Sequence, residues 1–367
     1  RRVMAIAKLS KILKRKPVVD ENEEAKVLEQ IIGCSTLEEA RSLASRRLES
    51  IQTGQVAAPS GDREGREHSA KVEETLRGLH AKTLQSKATT REYWEQTFAH
   101  GLKVYDDQYA STSDFKGSLC EQDYSMMRER LEDNGFFSSP SMDWGEDISF
   151  EQLIGAMKEL KSCGWPACFV FAYQQPWRLI DKLFDFAEEI LQTDQLAIEP
   201  SVFAWHLDPP TGQPSRAGNN GFNLPHRDFT FEETFDEDGT LKALSIWIPL
   251  CDVTAENGCM FVLPKEFDEY HDLPDHPSHL RSAVLGKSSN VIELRFPLQG
   301  IRPLEARAGS VLGWHGNTIH WGSCCAKDAP YPRVSIAFTF CRSSVGSLEG
   351  NALLSRESVR SLDLPSR

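Results

Sequence analysis

The sequence predicts a mainly β domain, a sandwich or jelly roll flanked by α-helices and preceded by a helical N-terminal portion. Three observations carry this. After Pro200, apolar runs of strand length recur between turn signals, among them Leu244–Leu250, Met260–Leu263, Ser310–Trp314 and Val334–Phe340. Before Pro200 the apolar residues recur at helical spacing instead. The chain has 367 residues, 40% of them hydrophobic, enough for one large domain with additions or for two domains.

Taken in order, residues 1–16 are basic, with Arg1, Arg2, Lys8, Lys11, Lys14, Arg15 and Lys16 and no acid. Val3, Ile6, Leu9, Ile12 and Leu13 interleave at helical spacing. The plain reading is a solvated basic helix or frayed end. A membrane-surface helix or a transit-peptide remnant is the alternative. Asn22 can cap a helix whose stripe is Val27, Leu28, Ile31 and Ile32, and Thr36 with Glu39 fits a capping box for a second helix through Leu48. Residues 54–70 hold Gly54, Pro59, Gly61 and Gly65 among charges, the composition of a linker. Helical spacing resumes at Val72, Leu76, Leu79 and Leu84, and again around Tyr93, Trp94 and Phe98.

From Leu119 the texture changes. Helices are expected over Tyr124–Leu131, ended by Asn134-Gly135, over Phe150–Leu160, stopped by Gly164 and Pro166, and over Trp177–Leu191, with Leu179, Leu183, Phe186 and Ile190 as its stripe. Strands then begin at Val202–Trp205, and Val291–Phe296 is expected to be another. The organisation read from this is a helical N-terminal segment 1–53, a linker 54–70, a helical extension 71–118, a principal domain 119–345 and a C-terminal tail 346–367.

A formal net charge of -13 argues against a surface that tracks nucleic-acid phosphates. No run is long and apolar enough to span a bilayer. Nine cysteines, with one adjacent pair (Cys324-Cys325) and no CxxC, read as reduced thiols rather than a disulfide framework. An intracellular, cytoplasmic protein acting on a small molecule is expected, with a targeting segment ahead of Arg1 left open and the oligomeric state unspecified.

The chemistry concentrates between Leu224 and Arg333. Pro225-His226-Arg227-Asp228 opens this stretch, and Ile319-His320-Trp321-Gly322-Ser323 followed by Pro332-Arg333-Val334-Ser335 closes it. Two histidines and one carboxylate form the ligand set of an open-faced iron(II) site. His226 and Asp228 are two apart, so an extended strand sends both side chains to one face. His320 completes the trio only if a sheet folds back to lay it beside them.

The ordered set Pro225-His-Arg-Asp228, Trp247-Ile-Pro-Leu250, Asp252-Val-Thr-Ala-Glu-Asn-Gly258, Val262-Leu-Pro264, Ile319-His320 and Arg333 resembles the phytanoyl-CoA dioxygenase family of iron(II)/2-oxoglutarate oxygenases. The resemblance covers roughly residues 119–345 and leaves 1–118 unexplained. It implies a double-stranded β-helix, a cupin-like jelly roll. It implies Fe(II) held by His226, Asp228 and His320, with 2-oxoglutarate and dioxygen filling the open positions. Arg333 would pair with the far carboxylate of 2-oxoglutarate, Ser335 would add a hydroxyl on the same strand face, and Trp247 would line the cofactor pocket or serve as core. Related halogenases lack the carboxylate, so Asp228 points to hydroxylation of a small organic substrate with release of succinate and CO2. Desaturation or ring formation stays open. The alternatives are a cupin-type metal enzyme that does not use 2-oxoglutarate, or a non-catalytic binding protein on the same fold.

Other residues compete for these roles. His226-Arg227-Asp228 could be a surface loop with a local ion pair. His206-Leu207-Asp208 is a second HxD, but Pro209-Pro210 follow it and its distance to the Trp247 strand does not fit the family pattern. His315 is the rival to His320, but its offset of five residues puts it on the other strand face. Asn257-Gly258 suits a type I′ hairpin turn, His271, His276 and His279 read as surface histidines of a Pro- and Asp-rich loop, and the acidic run Phe229–Gly239 reads as a solvated loop at the site mouth that favours cationic or neutral substrates. Adjacent cysteines on a strand point to opposite faces, which disfavours zinc ligation by Cys324 and Cys325.

Overall fold

The computed structural model describes residues 90–97, 100–104, 119–209, 224–276, 279, 296–348 and 350–362. The chain divides between Thr89 and Thr90, and all described residues lie on the C-terminal side. The basic helix expected at 1–16, the helices at 20–53, the linker at 54–70 and all of the expected strand at 291–296 except Phe296 lie outside the described residues.

Helix α1 (Arg91–Thr97) anchors itself through Trp94, which is buried against Trp165, Phe169 and Tyr173. Helix α2 (Glu121–Asn134) begins where the Cys120 backbone N–H donates to Asp123, 2.9 Å, a reciprocal cap. It ends at Gly135, whose φ of 85° suits a residue without Cβ and lets its N–H close on the Leu131 carbonyl. In α3 (Phe150–Ser162) the Ser149 hydroxyl accepts from the Gln152 N–H, 3.3 Å. Helix α4 (Gln174–Leu191) buries the expected stripe of Leu179, Leu183, Phe186 and Ile190.

Among the described residues ten strands follow or interleave: β1 (Phe136–Ser141), β2 (Leu196–Ile198), β3 (Phe203–Leu207), β4 (Ala243–Pro249), β5 (Met260–Val262), β6 (Arg302–Leu304), β7 (Ser310–His315), β8 (His320–Gly322), β9 (Arg333–Arg342) and β10 (Leu354–Ser355). Between β3 and β4 lies the one-turn helix α5 (Phe231–Thr234), and α6 (Arg356–Ser361) follows β10. The larger sheet runs β1-β7-β4-β9-β2-β10, with β3 also pairing β9, and the smaller runs β6-β5-β8. All pairings are antiparallel. The mainly β jelly roll with flanking helices is therefore the fold, as the sequence indicated.

The two sheets face each other across a core of Trp247, Leu312 and Trp314 from the larger sheet and Met260, Val262 and Leu304 from the smaller. Strand alternation sends β9's Ile336, Phe338 and Phe340 the other way, where Phe340 meets Phe184 of α4 edge-on. One face of the larger sheet thus rests on helices, and the other is reserved for the interior of the sandwich.

Two local expectations change. Asn257-Gly258 is not a hairpin turn, because β4 and β5 belong to different sheets. Only Gly258 has positive φ (100°), and Asn257 instead braces the loop, its amide donating to the Asp252 carbonyl and accepting from the Thr254 N–H, both at 2.8 Å. Within the expected tail 346–367, β10 and α6 are docked: β10 pairs β2, and Arg356 of α6 donates to Asp181 (2.8 Å) and Asp185 (2.6 Å) of α4.

Candidate metal centre

His226 and His320 are brought together by the backbone before their side chains meet. The His226 N–H donates to the His320 carbonyl (3.1 Å) and the His320 N–H returns the bond (2.9 Å), an isolated antiparallel bridge. Residues opposite each other in such a bridge share a face, so the rings lie side by side with centroids 4.5 Å apart. Asp228, two residues on, returns to that face. His226, Asp228 and His320 each offer one ligand atom, all within 4.8 Å of one another, and they are the group among the described residues that could hold a metal ion.

Each ligand is oriented by a second bond. His226 Nδ1 lies 2.8 Å from the Leu224 carbonyl and His320 Nδ1 lies 3.0 Å from the Thr318 carbonyl. A carbonyl only accepts, so each Nδ1 carries the proton and each Nε2 lone pair faces Asp228. Asp228 Oδ2 accepts from Ser245 Oγ (2.7 Å) and Trp314 Nε1 (3.0 Å). Its Oδ1 then sits 3.7 Å from His226 Nε2 and 3.5 Å from His320 Nε2. The three inward atoms are two imidazole lone pairs and one carboxylate oxygen, the donor set of an open-faced divalent site.

The electrostatics agree. Burial pushes the Asp228 carboxyl up, but the neighbouring His320 and His226 and the bonds from Ser245 and Trp314 outweigh it, and its pKa is lowered. Burial brings His320 down to about 4, against a smaller opposing effect from Asp228. An ionised carboxylate and a neutral imidazole are the protonation states a metal requires.

Arg333, Ser335 and Trp247 line the same interior. Arg333 and Ser335 alternate on one face of β9, and Trp247 lies across from Ala337 on the neighbouring β4. Arg333 is only 4% exposed; its Nη1 donates to the Gly258 carbonyl at 2.6 Å, and its Cζ sits 6.0 Å from the Trp247 ring. Gly322 approaches it so closely that a Cβ there would lie 2.9 Å from Nη1. Gly322 and His320 are two apart on one face of β8, about 6–7 Å by strand geometry, which places the guanidinium about one strand repeat from the triad. Arg333 Nε, Ser335 Oγ and Trp247 Nε1 are buried polar atoms with no hydrogen-bond partner among the described residues. Buried polar groups are ordinarily paired, so this cradle of unpaired donors fits an anionic group entering from the triad side.

The rival residues lie elsewhere. His206 pairs with Val334 on β3, on the face turned away from Ser335, with its carbonyl taken by Lys161 of α3. Asp208 is exposed and bonded to the same lysine. His315 pairs with Leu244, on the opposite face from the pair Ser245–Trp314, and its ring meets Thr318 Oγ1. Arg227 is not a surface residue in a local pair: its side chain is fully buried and bridges to Asp268. His271 is buried rather than at the surface, since its loop folds under Phe231 and Phe235; His276 is exposed and stacks on Tyr270. The acidic run is not all loop, because Thr230 and Glu233 cap α5. Cys324 is exposed and Cys325 buried, just past β8.

Reading the sequence alone missed Ser245, Trp314 and the Gly258 carbonyl. Ser245 was accessible by parity, since it shares a strand face with Trp247. Trp314 required the β4–β7 register.

The fold and the site together are a jelly roll carrying a two-histidine, one-carboxylate cluster that could hold a metal ion. Residues 170–323 match the phytanoyl-CoA dioxygenase (PhyH) family. No curated protein matches the chain. Among solved structures it is similar to the epimerase SnoN in complex with Fe3+, alpha ketoglutarate and nogalamycin RO, at 17% identity and a TM-score of 0.42, over 64% of this chain and 96% of that one. It is also similar to the non-heme alpha ketoglutarate dependent carbocyclase SnoK from nogalamycin biosynthesis, at 17% identity and a TM-score of 0.38, over 61% and 88%. A third is EctD from S. alaskensis with 2-oxoglutarate and 5-hydroxyectoine, at 16% identity and a TM-score of 0.35, over 66% and 80%. No helix among the described residues is long and apolar enough to cross a membrane.

Proposed function

We propose that this chain is an Fe(II)/2-oxoglutarate-dependent dioxygenase that hydroxylates a small organic substrate. In this reading His226, Asp228 and His320 hold the iron, and Arg333, Ser335 and Trp247 hold 2-oxoglutarate. The bound metal would supply oxidation of the substrate coupled to decarboxylation of 2-oxoglutarate to succinate and CO2. The protein's own contributions follow from its bonds. Leu224 and Thr318 fix the imidazole tautomers, Ser245 and Trp314 aim one carboxylate oxygen inward, and the interior face keeps a buried cation ready for a carboxylate.

The observation that carries the reading is Arg333. A guanidinium this buried, whose Nη1 meets a backbone carbonyl and whose Nε has no hydrogen-bond partner among the described residues, is costly unless an anion arrives. A metal enzyme of the same fold that does not use 2-oxoglutarate has no need of that cation beside its triad. The deciding experiment is anaerobic titration of Fe(II)-loaded protein with 2-oxoglutarate, followed by a succinate assay in air. A charge-transfer absorption band and succinate release are expected. Turnover sustained without 2-oxoglutarate would transfer the chain to the alternative metal enzyme. Absence of any band would leave a non-catalytic binding protein.

A further inference from the structure

Arg227 stands between His226 and Asp228, and the alternation of extended chain turns it away from the face they share. Its side chain is fully buried. Nη1 donates to Asp268 Oδ2 at 2.7 Å and Nη2 to Asp268 Oδ1 at 3.0 Å, the parallel fork a guanidinium makes with a carboxylate. Nη1 also donates to the Asn317 carbonyl.

Asn317 is itself fully buried and lies one residue before Thr318, whose carbonyl orients His320. Its amide donates to the His271 carbonyl at 2.9 Å, and its Oδ1 accepts from His279 Nε2 at 3.0 Å. Asp268 holds the turn that follows, its carbonyl accepting from the His271 N–H and its Oδ1 from the Tyr270 N–H. A single buried ion pair with one asparagine therefore ties three chain segments together: the one bearing His226 and Asp228, the one leading into His320, and the stretch 264–276 that leaves β5.

We propose that Arg227, Asp268 and Asn317 form a positioning clamp that couples metal binding at the triad to the order of segment 264–276. The inference rests on the metal reading of the triad. Its physical basis is reciprocity. If the clamp holds both ligand-bearing segments in register only while 264–276 is docked, then filling the triad must favour docking by the same factor by which docking favours the metal.

The test uses the full chain and Mn(II) as probe, reading Mn(II) affinity and backbone hydrogen exchange. In the wild type, Mn(II) should slow exchange across 264–276. Asp268→Asn keeps the size of the side chain but removes the charge that pairs with Arg227. Its Mn(II) affinity should fall about 10–100-fold, the usual effect of losing a residue that orients metal ligands. At saturating Mn(II), the slowing across 264–276 should disappear while β9 exchanges as before. The double variant Arg227→Met/Asp268→Leu replaces the ion pair by apolar groups that a buried site tolerates, and it should show the same uncoupling if the single variant does not fold. Wild-type affinity and wild-type protection in the clamp variants would overturn the proposal alone. A wild type that binds no Mn(II), or a His226→Ala variant that binds it unchanged, would overturn the metal reading and the clamp with it.

Discussion

Replacing Arg333 by methionine should move two quantities in opposite directions. Burial pushes the Arg333 pKa below its ordinary value, down to about 10, against a smaller opposing effect from nearby thiols. At about 1.4 kcal/mol per pKa unit, the protein without an anion carries on the order of 3 kcal/mol of uncompensated charge burial. Methionine matches the length of the aliphatic stem and removes that cost, so unfolding stability without ligand should stay level or rise by about 1–4 kcal/mol. Co-substrate binding should collapse. Removing one partner of a buried charge pair costs about 3–5 kcal/mol, a Kd for 2-oxoglutarate weaker by roughly 100- to 4,000-fold. Urea unfolding of Mn(II)-loaded protein reads both. Wild type with 2-oxoglutarate at a hundred times its Kd should gain about 2.7 kcal/mol, and Arg333→Met should gain at most about 0.4 kcal/mol at that concentration. A variant that loses stability without ligand yet keeps its ligand-induced gain would refute the assignment of this guanidinium to the co-substrate.

Four further outcomes are expected. His320→Ala should abolish metal binding, whereas His315→Asn should keep it and lose about 1–3 kcal/mol of stability from the buried Thr318 contact; a reversal in metal titrations would reassign the distal ligand. Ser245→Ala removes a 2.7 Å bond to Asp228 Oδ2 and should weaken Mn(II) about tenfold in isothermal titration while thermal stability changes little. Gly258→Ala puts a Cβ 2.8 Å from the Ser323 carbonyl at φ 100°, which should cost about 1–3 kcal/mol and raise the 2-oxoglutarate requirement, since the Gly258 carbonyl holds Arg333. Burial lowers the pKa of His206, His271 and His315. The unfolded chain therefore takes up more protons than the native one below about pH 6.5, so stability present above that pH should fall on acidification, by up to about 1.4 kcal/mol per pH unit per histidine. Urea midpoints between pH 8 and 5 test the sign, and a flat profile would contradict it.

The local elements were legible because their determinants are local. Gly135 stops α2, the stripe through Leu179 and Phe186 makes α4, and the apolar run at Leu244–Leu250 can only be an inner strand. His226 and Asp228 could be paired because two residues of extended chain return to one face; His315 and His320 lie on different strands of different sheets, β7 and β8, so their separation was decided by the sheet partition and not by the parity the sequence suggested. What the sequence could not show was anything decided by which strands pair. The mutual bridge of His226 with His320 joins residues 94 positions apart. The register of β4 against β7 puts Trp314 on the carboxylate, and the partition of β4 and β5 into separate sheets turns an apparent hairpin into the brace for Arg333. Arg227 looked like a surface charge because its partner lies 41 residues away. Side-chain type and spacing name the chemistry a chain can perform; long-range hydrogen bonding and burial choose which of those groups share a site, because both depend on where distant backbone lies.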